Sequence, residues 1–204
     1  MTTKGGPILP AQRIEIRLAG SGGQGIILAG LVLAEAAGIY DDREAAMIQS
    51  YGPEARGGTS KAEIIISDHR IDYPLCGRVD LFLAMTQEAA DAYSGDLSPE
   101  AWVLVDADLV PHPPEGRTVR LPFTAVARDK LGKTMVANIT ALGAITELTG
   151  FVSRRGIEKA LAAHIPVGTE ALNRKALALG AKMARDYRRL GSEEHPPEAK
   201  EDDL

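Results

Sequence analysis

Apolar and charged residues alternate near the start of the chain. Ile14, Ile16 and Leu18 are separated by Glu15 and Arg17, which is the period of a strand. The run Gly20-Ser21-Gly22-Gly23-Gln24-Gly25 follows at once. Residues 26–37 are then rich in Ile, Leu and Ala, with Gly38 placed as a helix C-cap. This reads as strand, glycine turn, helix. A short strand is expected over residues 45–50, then a Gly- and Pro-containing loop from Tyr51 to Gly58. Residues 62–67 form a clear apolar strand, and Asp68-His69 reads as a tight turn into a return strand over 70–73, stopped by Pro74. Residues 81–85 are a continuous apolar run, as in a buried parallel strand, with Thr86 placed to cap a helix over 87–93. Further strands are expected at 102–105, ending before Asp106, and at 118–121. Helical spacing then dominates over 124–131, 136–149 (closed by Gly150), 153–164 and about 169–190, with Ser153 and Thr169 as N-caps.

This order predicts an α/β fold: a mostly parallel, Rossmann-like sheet with an inserted β-hairpin and C-terminal helices. Residues 1–12 read as a flexible arm, 13–190 as a single domain, and 191–204 as a disordered acidic tail. Aromatic residues make up only 4% of the chain, so its core must be built from Ala, Leu, Ile and Val. The net charge of −5 resides in the tail, where six acids from Glu193 to Asp203 face Lys200 alone. The neutral body has no basic face of the kind a nucleic-acid binder needs. No apolar run approaches the roughly 20 residues of a membrane span, and the N-terminus lacks a secretory pattern, so a cytoplasmic location is expected. Cys76 is the only cysteine, and one thiolate cannot hold an iron–sulfur cluster. The four histidines, His69, His112, His164 and His195, are scattered and read as surface residues.

Gly20, Gly22 and Gly25 fit a G-x-G-x-x-G turn between strand and helix. There the backbone approaches a ligand closely and the helix N-terminus attracts an anion. A dinucleotide site also wants an acid at the end of the second strand. Asp41, Asp42 and Glu44 lie at the right distance but precede that strand, whose end is Gln49 and Ser50. The other reading is that the glycines only let the helix pack tightly on the sheet.

Three segments together resemble a known family: Leu18 to Gly25; Gln49-Ser50-Tyr51-Gly52-Pro53-Glu54-Ala55-Arg56-Gly57-Gly58; and Asn138-Ile139-Thr140-Ala141-Leu142-Gly143-Ala144. The family is the gamma subunit of the 2-oxoacid:ferredoxin oxidoreductases. The resemblance spans about residues 13–188, and its most specific element is the Ser50–Gly58 loop. That loop, with Ile71-Asp72-Tyr73-Pro74, looks like the 2-oxoglutarate branch. The resemblance implies a subunit without a catalytic set of its own. Its complex would use thiamine diphosphate and Mg2+ between alpha and beta subunits, with iron–sulfur clusters in beta or in a ferredoxin-like delta subunit. The reaction would be oxidative decarboxylation of a 2-oxoacid, acyl transfer to coenzyme A (CoA), and electron transfer to ferredoxin.

The candidate CoA-binding residues are Gly20, Ser21, Gly22, Gly23, Gln24, Gly25, Tyr51, Arg56, Gly57 and Gly58. Arg56 offers a rigid five-donor fork suited to phosphate or carboxylate. Its partner is read as CoA, an acid on a neighbouring subunit, or Glu54 within the loop. Tyr51 is a stacking candidate or plain interface filler. Asn138, early in an apolar helix, needs a partner: either a nearby loop supplies it, or the residue is an ordinary helix-start residue satisfied locally. Expressed alone, the chain is expected to fold, self-associate and oxidise nothing. The competing readings are a free-standing dinucleotide dehydrogenase and a scaffold subunit that binds no ligand.

Overall fold

A computed structural model of the chain describes residues 13–52 and 58–194. Six strands form one sheet: β1 (Arg13–Ser21), β2 (Glu44–Tyr51), β3 (Thr59–Ser67), β4 (Val79–Ala84), β5 (Leu97–Asp106) and β6 (Arg117–Leu121), in the order β2-β3-β1-β4-β5-β6. β1, β4, β5 and β6 run parallel, and only β3 is reversed, paired antiparallel with both β1 and β2. The expected α/β class with an antiparallel excursion is the fold that forms.

Alternation along the strands sorts two cores. Ile14, Ile16 and Leu18 of β1, with Leu81, Leu83 and Leu104, face α1 (Ile26–Glu35), α3 (Phe123–Leu131), α4 (Ala137–Thr149), α5 (Arg154–His164) and α6 (Glu170–Glu194). Ala19, Phe82, Ala84, Val103 and Val105 face α2 (Gln87–Tyr93) on the other side. The α2 face also buries Arg17, whose guanidinium donates to Glu63 at 2.8 Å and to the carbonyls of Tyr93 and Gly95 at 2.9 and 2.7 Å. Arg17 and Glu63 are direct cross-strand partners, so the pair pins the register of β1 on β3. At the far end of β1, burial pushes the Glu15 carboxyl up. The backbone N–H of Arg78, the Arg13 side chain and the N–H of Gly77 outweigh it and hold the group below the usual carboxylate range.

Local signals read from the sequence hold closely. The Thr86 hydroxyl accepts from the Ala89 N–H at 3.3 Å, Ser153 accepts from the Gly156 N–H at 2.9 Å, and Gly150 closes α4 with φ 66°. The non-local expectations need correction. The hairpin is formed by β2 and β3, and residues 70–73 form no strand. Both edges of β3 are already taken by β1 and β2, so a return strand has no backbone groups left to pair with. Gly38 is no C-cap, because the chain runs on through a π turn, Ala36–Tyr40, without a positive φ there. β5 starts five residues earlier than expected. The Thr169 hydroxyl donates to the Pro166 carbonyl at 2.7 Å and receives the Asn173 amide. α6 continues to Glu194, into the segment read as a tail. The arm at 1–12 and the tail residues 195–204 lie outside the described residues.

Candidate functional site

β1 and β4 lie side by side and parallel, but their following helices leave toward opposite faces of the sheet. The carboxyl ends of two such strands open a crevice, the usual ligand position in α/β sheets. The glycine turn sits there. Gln24 fixes it: its Oε1 accepts from the Ser21 N–H at 2.8 Å, and its Nε2 donates to the Met85 carbonyl at 3.4 Å, bridging the ends of β1 and β4. A side chain at Gly20 would collide with that Gln24 oxygen. Gly25 is the N-cap of α1, in the left-handed region at φ 73°, and no side chain caps the helix. No acid lies in the first turn either, so no local side chain offsets the partial positive charge of the α1 N-terminus.

Asn138 holds the turn from below. It is 2% exposed, and its Nδ2 donates to the Gly25 carbonyl at 2.9 Å, so of the two readings the loop contact is the one that forms. Its Oδ1 is buried without a partner. The turn is also tied to the loop between β2 and β3, because the Gly22 N–H donates to the Gly58 carbonyl at 2.8 Å. Tyr51, Ser60 and Gly20 form one cross-strand row, which brings the end of β2 to the same edge of the sheet, and Tyr51 is 68% exposed there. Thr59, opposite Ser21, shares a hydrogen bond of 2.9 Å with the Tyr93 hydroxyl. Sequence reasoning did not single out Thr59 or Met85, since only the strand order brings them to the turn.

The structure therefore assembles Gly20, Ser21, Gly22, Gly23, Gln24, Gly25, Tyr51 and Gly58 at one edge. Arg56 and Gly57 lie outside the described residues. Gly23 and Gly25 have positive φ, whereas Gly22 does not, so strain is no reason for a glycine at 22. A cleft of about 370 Å3 lies elsewhere, between α4, α6 and the start of α5, bounded by Gly143, Glu147, Arg154 and Arg188. A smaller one of about 130 Å3 adjoins the turn through Asn138 and Leu28.

A dinucleotide site is not built. β3 separates β2 from β1, and Asp41, Asp42 and Glu44 stand at the wrong end of β2. Asp41 is committed elsewhere: it accepts from the Ser153 N–H at 2.6 Å and from the Ser153 hydroxyl. His164 pairs with Glu35 at 2.7 Å, away from the turn. Burial, with the charges of Glu63 and Glu15 adding to it, pushes the Cys76 thiol up to about 12, so it stays protonated at neutral pH and is no nucleophile.

The model of the pyruvate ferredoxin/flavodoxin oxidoreductase family matches residues 15–183, the whole α/β body up to the last turns of α6. The chain belongs to that family. Among family members, 2-oxoglutarate synthase subunit KorC of Methanocaldococcus jannaschii is 47% identical over 178 residues, covering 85% of this chain and 95% of that one. The crystal structure of a keto/oxoacid ferredoxin oxidoreductase gamma subunit from Geobacter sulfurreducens superposes with a TM-score of 0.76 at 48% identity, over 85% of this chain and 99% of the other. The fold also matches 32% of a longer chain, the 2-oxoglutarate:ferredoxin oxidoreductase from Magnetococcus marinus, with a TM-score of 0.74 at 22% identity over 87% of this chain. That structure has 2-oxoglutarate, coenzyme A and succinyl-CoA bound. Among the described residues, no helix is long and apolar enough to cross a membrane.

Proposed function

We propose that the chain is the gamma subunit of a 2-oxoglutarate:ferredoxin oxidoreductase. The observation that carries this reading is the close likeness, over nearly their entire length, to a 2-oxoglutarate synthase subunit and to a keto/oxoacid ferredoxin oxidoreductase gamma subunit. On this reading it works with alpha and beta subunits and a ferredoxin-like delta subunit. Thiamine diphosphate, Mg2+ and the iron–sulfur clusters sit in those partner chains, which together convert the 2-oxoacid to acyl-CoA and CO2 and pass electrons to ferredoxin.

This chain's share is to hold CoA at the edge that carries the glycine turn. Support comes from the uncapped α1 N-terminus, the open space around Gly23, and the nearby Tyr51. The CoA-bound state of the longer relative supports the same ligand. Arg56 supplies the guanidinium for its phosphates from the loop that Gly58 joins to the turn.

The test is reconstitution. Complex assembled with this chain should reduce a viologen dye with 2-oxoglutarate and CoA, and the chain alone should not. Arg56→Ala should raise the CoA requirement roughly 30-fold or more, the effect of losing a charge-assisted contact worth about 2–5 kcal/mol. Arg56→Lys should recover part of it. Dye reduction by the pure chain, or an undiminished rate in complex lacking it, would overturn the assignment. A wild-type CoA curve for Arg56→Ala would remove the CoA role alone.

A further inference from the structure

Charge divides the neutral body unevenly. Residues 153–190, which form α5 and most of α6, carry nine Lys and Arg against Glu158, Glu170 and Asp186, a net of +6. The cleft of about 370 Å3 between α4, α6 and the start of α5 opens in this basic layer. Val152, Leu177 and Ala181 line it with apolar groups, and Arg154 and Arg188 line it with charge. Glu147 lies there too, but Arg185 donates to its carboxylate at 2.8 Å and offsets it. Arg188 donates to the Leu148 carbonyl, with five N–H groups on its fork to offer. Arg154 pairs with Glu158 at 2.9 Å, and both side chains face water, 61% and 43% exposed. α5 starts at the cleft with no acid in its first turn, so its partial positive charge adds to that of the arginines.

The chain carries its own complement to this cleft. After Glu194, where α6 ends, the sequence is His195-Pro196-Pro197-Glu198-Ala199-Lys200-Glu201-Asp202-Asp203-Leu204, four acids against one lysine. Proline cannot continue a helix, so the path after Glu194 has to leave the α6 axis. Arg188 precedes Glu194 by six residues, roughly 9 Å of helix. Ten residues reach as far as about 33 Å, enough to double back along α6 to the cleft. We propose that residues 195–204 turn back at Pro196-Pro197 and lay their carboxylates against Arg154 and Arg188, with Leu204 against Val152 and Leu177. Exposed ion pairs are individually weak. A few of them hold a tethered segment, which is present at millimolar effective concentration, but they do not hold a separate acidic chain. The cleft follows α4 from Gly143 to Gly150, away from Asn138 and the glycine turn. The inference therefore does not depend on which ligand the turn takes.

The experiment places a nitroxide spin label on the full chain at Ala199→Cys, with Cys76→Ser to leave one thiol, and reads amide broadening by nuclear magnetic resonance. At low salt the amides of residues 147–156 and 181–188 should broaden. Between 0.01 M and 1 M salt the Debye length falls from about 30 Å to about 3 Å, and the broadening should fade. Neutralising the segment with Glu198→Gln, Glu201→Gln, Asp202→Asn and Asp203→Asn should abolish it, and so should Arg154→Glu with Arg188→Glu. Combining those two arginine changes with Glu201→Lys, Asp202→Lys and Asp203→Lys should restore it. Broadening confined to the last turns of α6, or broadening that survives salt or neutralisation, overturns the proposal. So does broadening of an unlabelled chain by a labelled one in a mixture, which would seat the segment on a second copy. Should the arginine variants fail to fold, the neutralised segment decides alone, because it leaves residues 13–194 unchanged.

Discussion

Two sets of glycines do opposite jobs in this molecule. At the crossing of α4 and α6, Gly143 and Gly180 let two helices touch backbone to backbone. A Cβ at Gly143 would run into the Leu177 carbonyl, and one at Gly180 into that of Thr140. Both residues have ordinary helical φ, so the requirement is space alone. At the turn after β1 the requirement changes from residue to residue. Gly23 needs its conformation and has open space around it, Gly25 needs both conformation and space, and Gly22 needs neither for stability. A glycine whose removal the fold tolerates is better explained by what approaches it from outside.

That contrast can be broken by measurement. Gly180→Ala should be the most damaging change. Overpacking usually costs about 1–3 kcal/mol, and a collision with rigid backbone belongs at or above the top of that range. For a chain of this size, about 3 kcal/mol lowers Tm by roughly 6–12 °C in calorimetry. A shift of only a degree or two would mean that the helices can part cheaply. Gly25→Ala comes next, at about 2–3 kcal/mol, from a left-handed alanine worth about 1–2 kcal/mol and the displaced Asn138 hydrogen bond worth about 1 kcal/mol. Because the clash is with Asn138, the double variant with Asn138→Ala should cost less than the sum of the singles. Strict additivity in denaturant titrations would show that the two do not interact.

Gly23→Ala should cost only the left-handed strain, about 1–2 kcal/mol, since nothing lies within reach of its new methyl group. Gly22→Ala should be smallest, within about 0.5 kcal/mol, its Cβ resting 3.4 Å from the Gly58 carbonyl. If Gly22→Ala nevertheless raises the CoA requirement of the assembled enzyme while Tm holds, the glycine at 22 serves the ligand. A large Tm loss at 22 would instead place it with Gly143 and Gly180.

The same contrast marks what the sequence could tell. Caps and turns were legible because their chemistry is local. Thr86, Ser153 and Gly150 act within a few residues of themselves, and the alternation Ile14-Glu15-Ile16-Arg17-Leu18 declares a strand without help. The glycine turn was legible for the same reason. The β2–β3 hairpin was misplaced because a choice between two candidate return strands depends on which edge of β3 is free, and β1 decides that from roughly forty to fifty residues away. Gly143 lay within a segment that resembled the family, yet its partner Gly180 sits on another helix, and spacing along one helix does not reveal a crossing. Gln24 stood within the motif, but its reach to Met85 follows only once β4 lies beside β1. Asp41, read as a ribose candidate, turned out to hold the start of α5, a contact spanning 112 residues.

The position of β1 has a consequence for the order in which the molecule can be assembled. β1, the first strand among the described residues, sits inside the sheet between β3 and β4. During synthesis it has no strand to pair with until β3 has emerged. β2 and β3 are separated by only seven residues along the chain and can close on each other within microseconds. β1 must then add to the finished hairpin and expose its other edge until β4 arrives. A nascent chain halted between β3 and β4 therefore presents an apolar, unpaired inner edge, and that interval is when the growing chain is most exposed to aggregation.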